Sequence, residues 1–154
     1  MHGHIEKGDK MYKSFKQFSG YSTAFRQWKA DSHCKYVHGY ALKFKVYFEG
    51  ELDERNWVCD FGCFKRNGIK DQLKHHFDHT LVVAKDDPYL KHFQELHNSD
   101  LVQLRIMDDV GCEKFAEYVF KLIDEQIKIE TNGRVSVHKV QCWEHEDNMA
   151  EYSE

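Results

Sequence analysis

At 154 residues, with 41% apolar and 14% aromatic side chains, the chain can bury one core and is no disordered polymer. A formal net charge of −4 gives no argument for nucleic acid as a partner, and no apolar run approaches the length needed to cross a bilayer. Five cysteines at irregular spacing, with no C-x-x-C unit, read as reduced thiols, and Met1-His-Gly-His-Ile-Glu-Lys7 lacks the apolar centre of an export signal, so a cytoplasmic protein is expected.

The simplest organisation is a single domain over residues 1–154, with 1–11 a loose N-terminal segment. His2-Gly-His4 has the chemistry to chelate a metal, but a mobile terminal pair is more often without a role. Tyr12 to Phe25 is rich in Phe, Tyr, Ser and Thr and reads as a first strand, with Gly20 marking a bulge or a close backbone approach. Arg26 to Ser32 is a polar connection into Asp31-Ser-His-Cys-Lys-Tyr-Val-His-Gly-Tyr40. From Tyr40 the chain alternates: Leu42, Phe44, Val46 and Phe48 on one face, Lys43, Lys45 and Tyr47 on the other. His38 and Tyr40 then project with the apolar set, where an imidazole and a phenol complete a core or line a pocket.

Asp53-Glu-Arg-Asn56 is turn chemistry, and Trp57-Val-Cys-Asp-Phe-Gly62 is a short apolar piece. Ile69, Leu73 and Phe77, four apart, predict a first helix ending at Asp78-His79. Thr80–Ala84 is a β-branched strand, Asp86-Asp-Pro88 a loop, and residues 89–97 one or two helical turns. Leu101–Met107 is a further strand. A second helix buries Phe115, Val119, Leu122, Ile123 and Gln126; Asn132-Gly133 is a turn, and Val135–Trp143 a last strand that delivers Glu144. The order, β-β-α-β-β-α-β, is an α+β pattern with antiparallel hairpins.

Four islands lie in a recognisable order: Phe18-Ser through Thr23-Ala24; Cys34-x-x-x-His38-Gly-Tyr40; Asp60-Phe61 with Phe77-Asp78-His79; and Glu144 in Trp-Glu-His-Glu-Asp-Asn-Met-Ala-Glu-Tyr152. From about residue 12 to 152 the chain resembles the 6-pyruvoyl-tetrahydropterin synthase and 6-carboxytetrahydropterin synthase family. The resemblance implies a tunnelling fold, in which a four-stranded antiparallel sheet with two helices on one face closes with its copies into a barrel. It implies a homo-oligomer, trimer or hexamer, with active sites at subunit interfaces. The substrate would be 7,8-dihydroneopterin triphosphate, whose triphosphate is eliminated. The 6-carboxy branch also loses a two-carbon aldehyde and feeds 7-deazaguanine and queuosine synthesis; a 6-pyruvoyl product is the alternative.

The resemblance also assigns residues. Cys34 matches the catalytic cysteine, a thiolate able to take a weakly acidic proton; the plain alternative is a buried structural thiol. Asp78 and His79 match a relay pair in which a carboxylate orients an imidazole. Neighbours on one strand point apart, so the couple requires an irregular local chain or a second subunit. Glu144 matches the pterin anchor: two carboxylate oxygens accept from the ring's 2-amino and N3–H groups. Glu113 aligns with a second glutamate near the pterin.

The zinc positions depart from the family. Zn2+ is held there by three histidines, and this chain has Phe25, His38 and Tyr40. His38 is the surviving ligand type; His33 is a spare nearby, and Tyr40 would ligate only as a phenolate. One imidazole falls short of the three protein ligands of a catalytic zinc. A relocated zinc site, a metal-free enzyme and a non-catalytic pterin or purine binder therefore stay open. For a triphosphate, Lys13, Lys16, Arg26, Lys35, Lys43 and Lys45 are available, with Arg26 and Lys35 best placed.

Overall fold

The structure, a computed structural model, describes residues 10–154, so the His2–His4 pair lies outside the described residues. Six strands form one sheet: β1 (Tyr12–Phe25), β2 (His38–Gly50), β3 (Thr80–Ala84), β4 (Leu104–Met107), β5 (Val135–His145) and β6 (Asn148–Tyr152), in the order β4-β3-β1-β2-β5-β6. Four helices accompany it: α1 (Cys63–Arg66), α2 (Ile69–Phe77), α3 (Leu90–Asn98) and α4 (Cys112–Glu130), with a single 3-10 turn at His33–Lys35.

The α+β class holds, but the expected four-stranded antiparallel sheet is corrected. β1 pairs antiparallel with β2, β2 with β5 and β5 with β6, while β1–β3 and β3–β4 are parallel. The β3–α3–β4 connection is a crossover of the kind parallel neighbours need. The strand expected from Leu101 starts only at Leu104, and residues beyond Trp143 turn back as β6.

Strand periodicity builds the core. Phe18, Tyr21 and Phe25 of β1, Leu42, Phe44, Val46 and Phe48 of β2, and Val135, Val137, Val140 and Cys142 of β5 are buried on one face. Against them α2 presents Ile69, Leu73 and Phe77, and α4 presents Phe115, Val119, Phe120, Ile123 and Ile127. The α4 stripe is rotated from the expected one: Leu122 and Gln126 are only half-buried, and Ala116, Phe120 and Ile127 take the core positions. Each fully buried large apolar side chain contributes roughly 1.5–3 kcal/mol of burial free energy, so this shared face dominates cohesion.

Two helices were expected on one face, but the core face carries α1, through Phe64, as well as α2 and α4, and α3 lies apart from them. Val82 joins the main core, whereas its neighbours Leu81 and Val83 are buried outside it, so β3 is covered on both sides. α3 contacts β3 and β4 and has no buried residue of its own. Gly20 fulfils its expectation: the β1–β2 register shifts between Phe18 and Tyr21, and Gly20 has φ of 87°. After this bulge Phe25 lies opposite His38 and Thr23 opposite Tyr40.

Candidate functional site

Where β1, β2, the start of α4 and the β5–β6 hairpin meet, a cleft of about 420 Å³ is lined by Phe25, Gln27, Cys34, Tyr40, Glu113 and Glu144, floored by Cys112 and flanked by Asp147–Ala150. The loop from β1 to β2 delivers Cys34 by short-range bonds. The Gln27 backbone N–H donates to the Cys34 carbonyl at 2.9 Å, and the Cys34 N–H donates to the Ser32 hydroxyl at 3.3 Å. Cys34 is half-buried, whereas Cys59, Cys63, Cys112 and Cys142 are buried; all five are free thiols. Burial pushes the Cys59 and Cys63 thiols up to about 12 and about 11, which suits packing rather than chemistry.

Glu144 sits at an irregularity of the β5–β6 pairing. Trp143 faces Met149 and His145 faces Asn148, leaving Glu144 as the extra residue. A bulge of this kind re-aims a side chain. Here Glu144 Oε1 accepts from Asn148 Nδ2 at 3.0 Å, and the Cys112 thiol points to Oε2 at 3.9 Å. Its side chain keeps 23% exposure, enough for a ligand to reach. Glu113 enters from the first turn of α4, an electrostatically favourable place for a carboxylate. The preceding Gly111 has φ of 120°, and a Cβ there would strike the Gln27 side chain, so glycine lets the β1 exit and the α4 entry approach.

Tyr40 stacks on Phe25 with ring centroids 4.8 Å apart, and the Phe25 ring meets Phe115 edge-on. The Tyr40 hydroxyl is hydrogen-bonded to His38 Nε2, and His38 Nδ1 lies 2.8 Å from the Tyr36 carbonyl. A carbonyl only accepts, so Nδ1 carries the hydrogen, and in the neutral ring Nε2 accepts from the phenol. Burial, then the charges of Glu144, Cys34 and Cys112, pushes the Tyr40 phenol up to about 12. These residues do not fit zinc: Phe25 has no lone pair, Tyr40 stays protonated, and His38 is engaged by Tyr40. His33 stands exposed in the 3-10 turn, and among the described residues no group of three His, Cys, Asp or Glu is placed to hold a metal.

Asp78 and His79 do not reach this cleft. They line a second hollow of about 600 Å³ with Asp71, Lys74, His75, Gln103 and Arg105. They do form a couple with each other, His79 Nδ1 lying 3.1 Å from Asp78 Oδ1. The irregular backbone that this demands is present: His79 has φ of 57°. Asp78 also accepts from the Ser22 N–H at 3.0 Å, and that bond, with help from His79 and Lys74, holds its carboxyl below the usual range.

Arg26, expected to be free for phosphate, is engaged. Its guanidinium grips Asp87 through two bonds of 2.8 and 2.7 Å and donates to the Lys35 carbonyl at 3.2 Å. Lys43 and Lys45 lie over the Trp143 ring.

The sequence profile of the family described as 6-pyruvoyl tetrahydropterin synthase matches residues 14–154. The chain belongs to that family. A protein of Pyrococcus horikoshii named, provisionally, 6-carboxy-5,6,7,8-tetrahydropterin synthase is 28% identical over 137 residues, 84% of this chain and 82% of that protein. The crystal structure of an uncharacterised protein from Wolinella succinogenes superposes with a TM-score of 0.79 at 20% identity, covering 94% of this chain and 99% of the other. 6-Pyruvoyl tetrahydropterin synthase from Plasmodium vivax superposes with a TM-score of 0.67 at 13% identity, covering 95% and 99%. At such identities the structural likeness establishes the fold.

In this 6-pyruvoyl tetrahydropterin synthase-family chain, Cys34, Tyr40, Glu113 and Glu144, singled out from the sequence, line the cleft together with Gln27, Cys112 and Asn148, which were not. Gln27 could have been found only through the φ-positive Gly111 it packs against. Asn148 required the residues after Trp143 to be read as a strand paired back on β5.

Proposed function

We propose that the chain binds a reduced pterin in the Cys34–Glu144 cleft and acts on it as a carbon–oxygen lyase of the 6-carboxytetrahydropterin synthase type, on 7,8-dihydroneopterin triphosphate, in 7-deazaguanine and queuosine synthesis. The observation that carries this is the convergence of Cys34, Glu113 and Glu144, spread over 110 positions of the chain, on one cleft of about 420 Å³. Glu144, held by Asn148, accepts the pterin's paired N–H donors; Glu113 takes a further ring donor. Cys34, as thiolate, removes a proton from the side-chain carbon beside the departing CH2–O group. The thiolate's pair takes the proton, the C–H bond pair becomes the new C=C bond, and the triphosphate leaves with the C–O pair.

Asp78 and His79 belong to the same reaction through a neighbouring subunit, whose exposed His79 is brought to Cys34 in a homo-oligomer. Lys74 and Arg105 around that pair supply cationic groups beside the site. Without a Lewis acid at positions 25, 38 and 40, the abstracted proton is less acidic, and turnover is expected to be slow.

The test is incubation with 7,8-dihydroneopterin triphosphate and mass analysis of products. Cys34→Ala and His79→Ala are each expected to abolish product. Mixed oligomers of the two variants should recover about a quarter of wild-type activity, because random mixing leaves that share of composite sites intact. Product from Cys34→Ala at the wild-type rate would overturn the assignment. A second reading, a metal-free pterin binder without lyase activity, draws on the aromatic stack at positions 25 and 40. Tight pterin binding with no turnover by the wild type would favour it.

A further inference from the structure

The Phe25–His38–Tyr40 cluster is a built object and not a damaged metal site. Its three positions are adjacent across the β1–β2 pair, with Phe25 opposite His38. Phe25 stacks on Tyr40, and the Tyr40 and His38 rings lie 4.6 Å apart. The hydrogen bonds run in one direction, from Tyr40 O–H to His38 Nε2 and from His38 Nδ1–H to the Tyr36 carbonyl. With its hydrogen committed to His38, the Tyr40 oxygen has lone pairs left over, and Tyr40 lines the same cleft as Cys34 and Glu144.

We propose that the Tyr40 oxygen, fixed by His38 and Phe25, accepts a hydrogen bond from a hydroxyl on the side chain of the bound pterin, so that the cleft selects hydroxylated over keto or alkyl side chains without a metal. This rests on the reading that a pterin occupies the cleft. A metal ion binds a hydroxyl or a carbonyl through its lone pairs and accepts either. A phenol oxygen that already donates elsewhere discriminates, because only a hydroxyl brings it a hydrogen. The Phe25 stack at its back limits the swing of the Tyr40 ring.

The experiment is calorimetric titration of untagged protein with 7,8-dihydroneopterin, with 6-acetyl-7,8-dihydropterin (a keto side chain with no hydroxyl) and with 6-methyl-7,8-dihydropterin, using wild type and Tyr40→Phe. The substitution removes one oxygen and keeps the stack, so folding should survive, and thermal melting checks this. Tyr40→Phe is expected to weaken dihydroneopterin about fivefold to tenfold, the worth of one hydrogen bond, and to leave the other two unchanged. An equal effect on all three, or none on dihydroneopterin, overturns the inference while leaving the pterin seat standing. If none of the pterins binds the wild type, the reading of the cleft falls and takes this with it.

Metal content supplies a second arm. After dialysis against zinc, the wild type should hold none at this cluster, and a Phe25→His, Tyr40→His double variant should gain about one equivalent. One equivalent of zinc in the wild type, lost in His38→Ala, overturns the metal-free claim.

Discussion

Between Phe77 and Thr80 the chain must leave α2 and enter β3 within two residues, and His79 takes a φ of 57° to do it. Asp78 and His79 are thereby turned toward each other, where strand periodicity alone would point them apart. His79 N–H also donates to Ser22 O at 2.7 Å, pinning the corner to β1. One turn earlier, His76 stacks on Tyr118 and meets Phe77 edge-on, and its Nε2 has no partner. Burial, then Arg105 and His75, lowers it to about 4. Because the folded pKa lies below the unfolded one, near 6.5, the unfolded chain binds the proton first as pH falls. The stability His76 contributes is present above about pH 6.5 and is lost as pH drops toward 4. After discounting for partial exposure this is about 1–2 kcal/mol, a few degrees of melting temperature between pH 7.5 and 4.5. Thermal melts should show that drop in the wild type and a shallower one in His76→Phe. Identical slopes would place the pH dependence elsewhere.

Among the elements, α3 shows what holds a helix that contributes nothing to the main core. No residue of α3 is buried, yet Arg26 at the end of β1 sits 5.5 Å from the Tyr89 ring and 5.9 Å from the Phe93 ring while gripping Asp87. The Asp87 side chain is 1% exposed and that of Arg26 17%. Burial works against the Asp87 charge, and bonds from Arg26 and the Tyr89 N–H outweigh it, leaving its pKa below the ordinary range. Removing one partner of such a pair strands the other charge. Arg26→Ala is expected to cost about 3–5 kcal/mol in denaturant unfolding and to loosen α3 in hydrogen exchange. A loss below about 1 kcal/mol would show that α3 is held by other contacts.

β1 was legible from its enrichment in Phe, Tyr, Ser and Thr, and β2 because Leu42, Phe44, Val46 and Phe48 alternate without interruption. The parallel pairing of β3 and β4 was not, since Thr80–Ala84 is buried throughout and carries no alternation to orient it. β6 escaped notice because Asn148–Tyr152 is five residues without apolar alternation, while its pairing partner β5 is far more evident. The site divides the same way. Cys34, Glu113 and Glu144 could be named from motifs, but their meeting depends on a bulge at Glu144 and on Gly111, neither of which periodicity marks.

At the scale of the whole molecule, the thiol and carboxylates lie in one cleft and the Asp78–His79 couple, with Lys74 and Arg105, in a separate hollow. If both serve one reaction, as proposed, a second copy must bring its hollow to the first copy's cleft. Among the described residues no helix is long and apolar enough to cross a membrane. Recognition is the simpler claim, and Glu144 carries it. The most direct measurement is calorimetric titration of 7,8-dihydroneopterin into wild type and Glu144→Gln. Exchanging one carboxylate oxygen for an amide nitrogen removes the charge and turns one acceptor into a donor facing a donor. Affinity is expected to fall roughly 10- to 100-fold, the worth of a charge-assisted hydrogen bond. Unchanged affinity in Glu144→Gln would contradict the pterin seat.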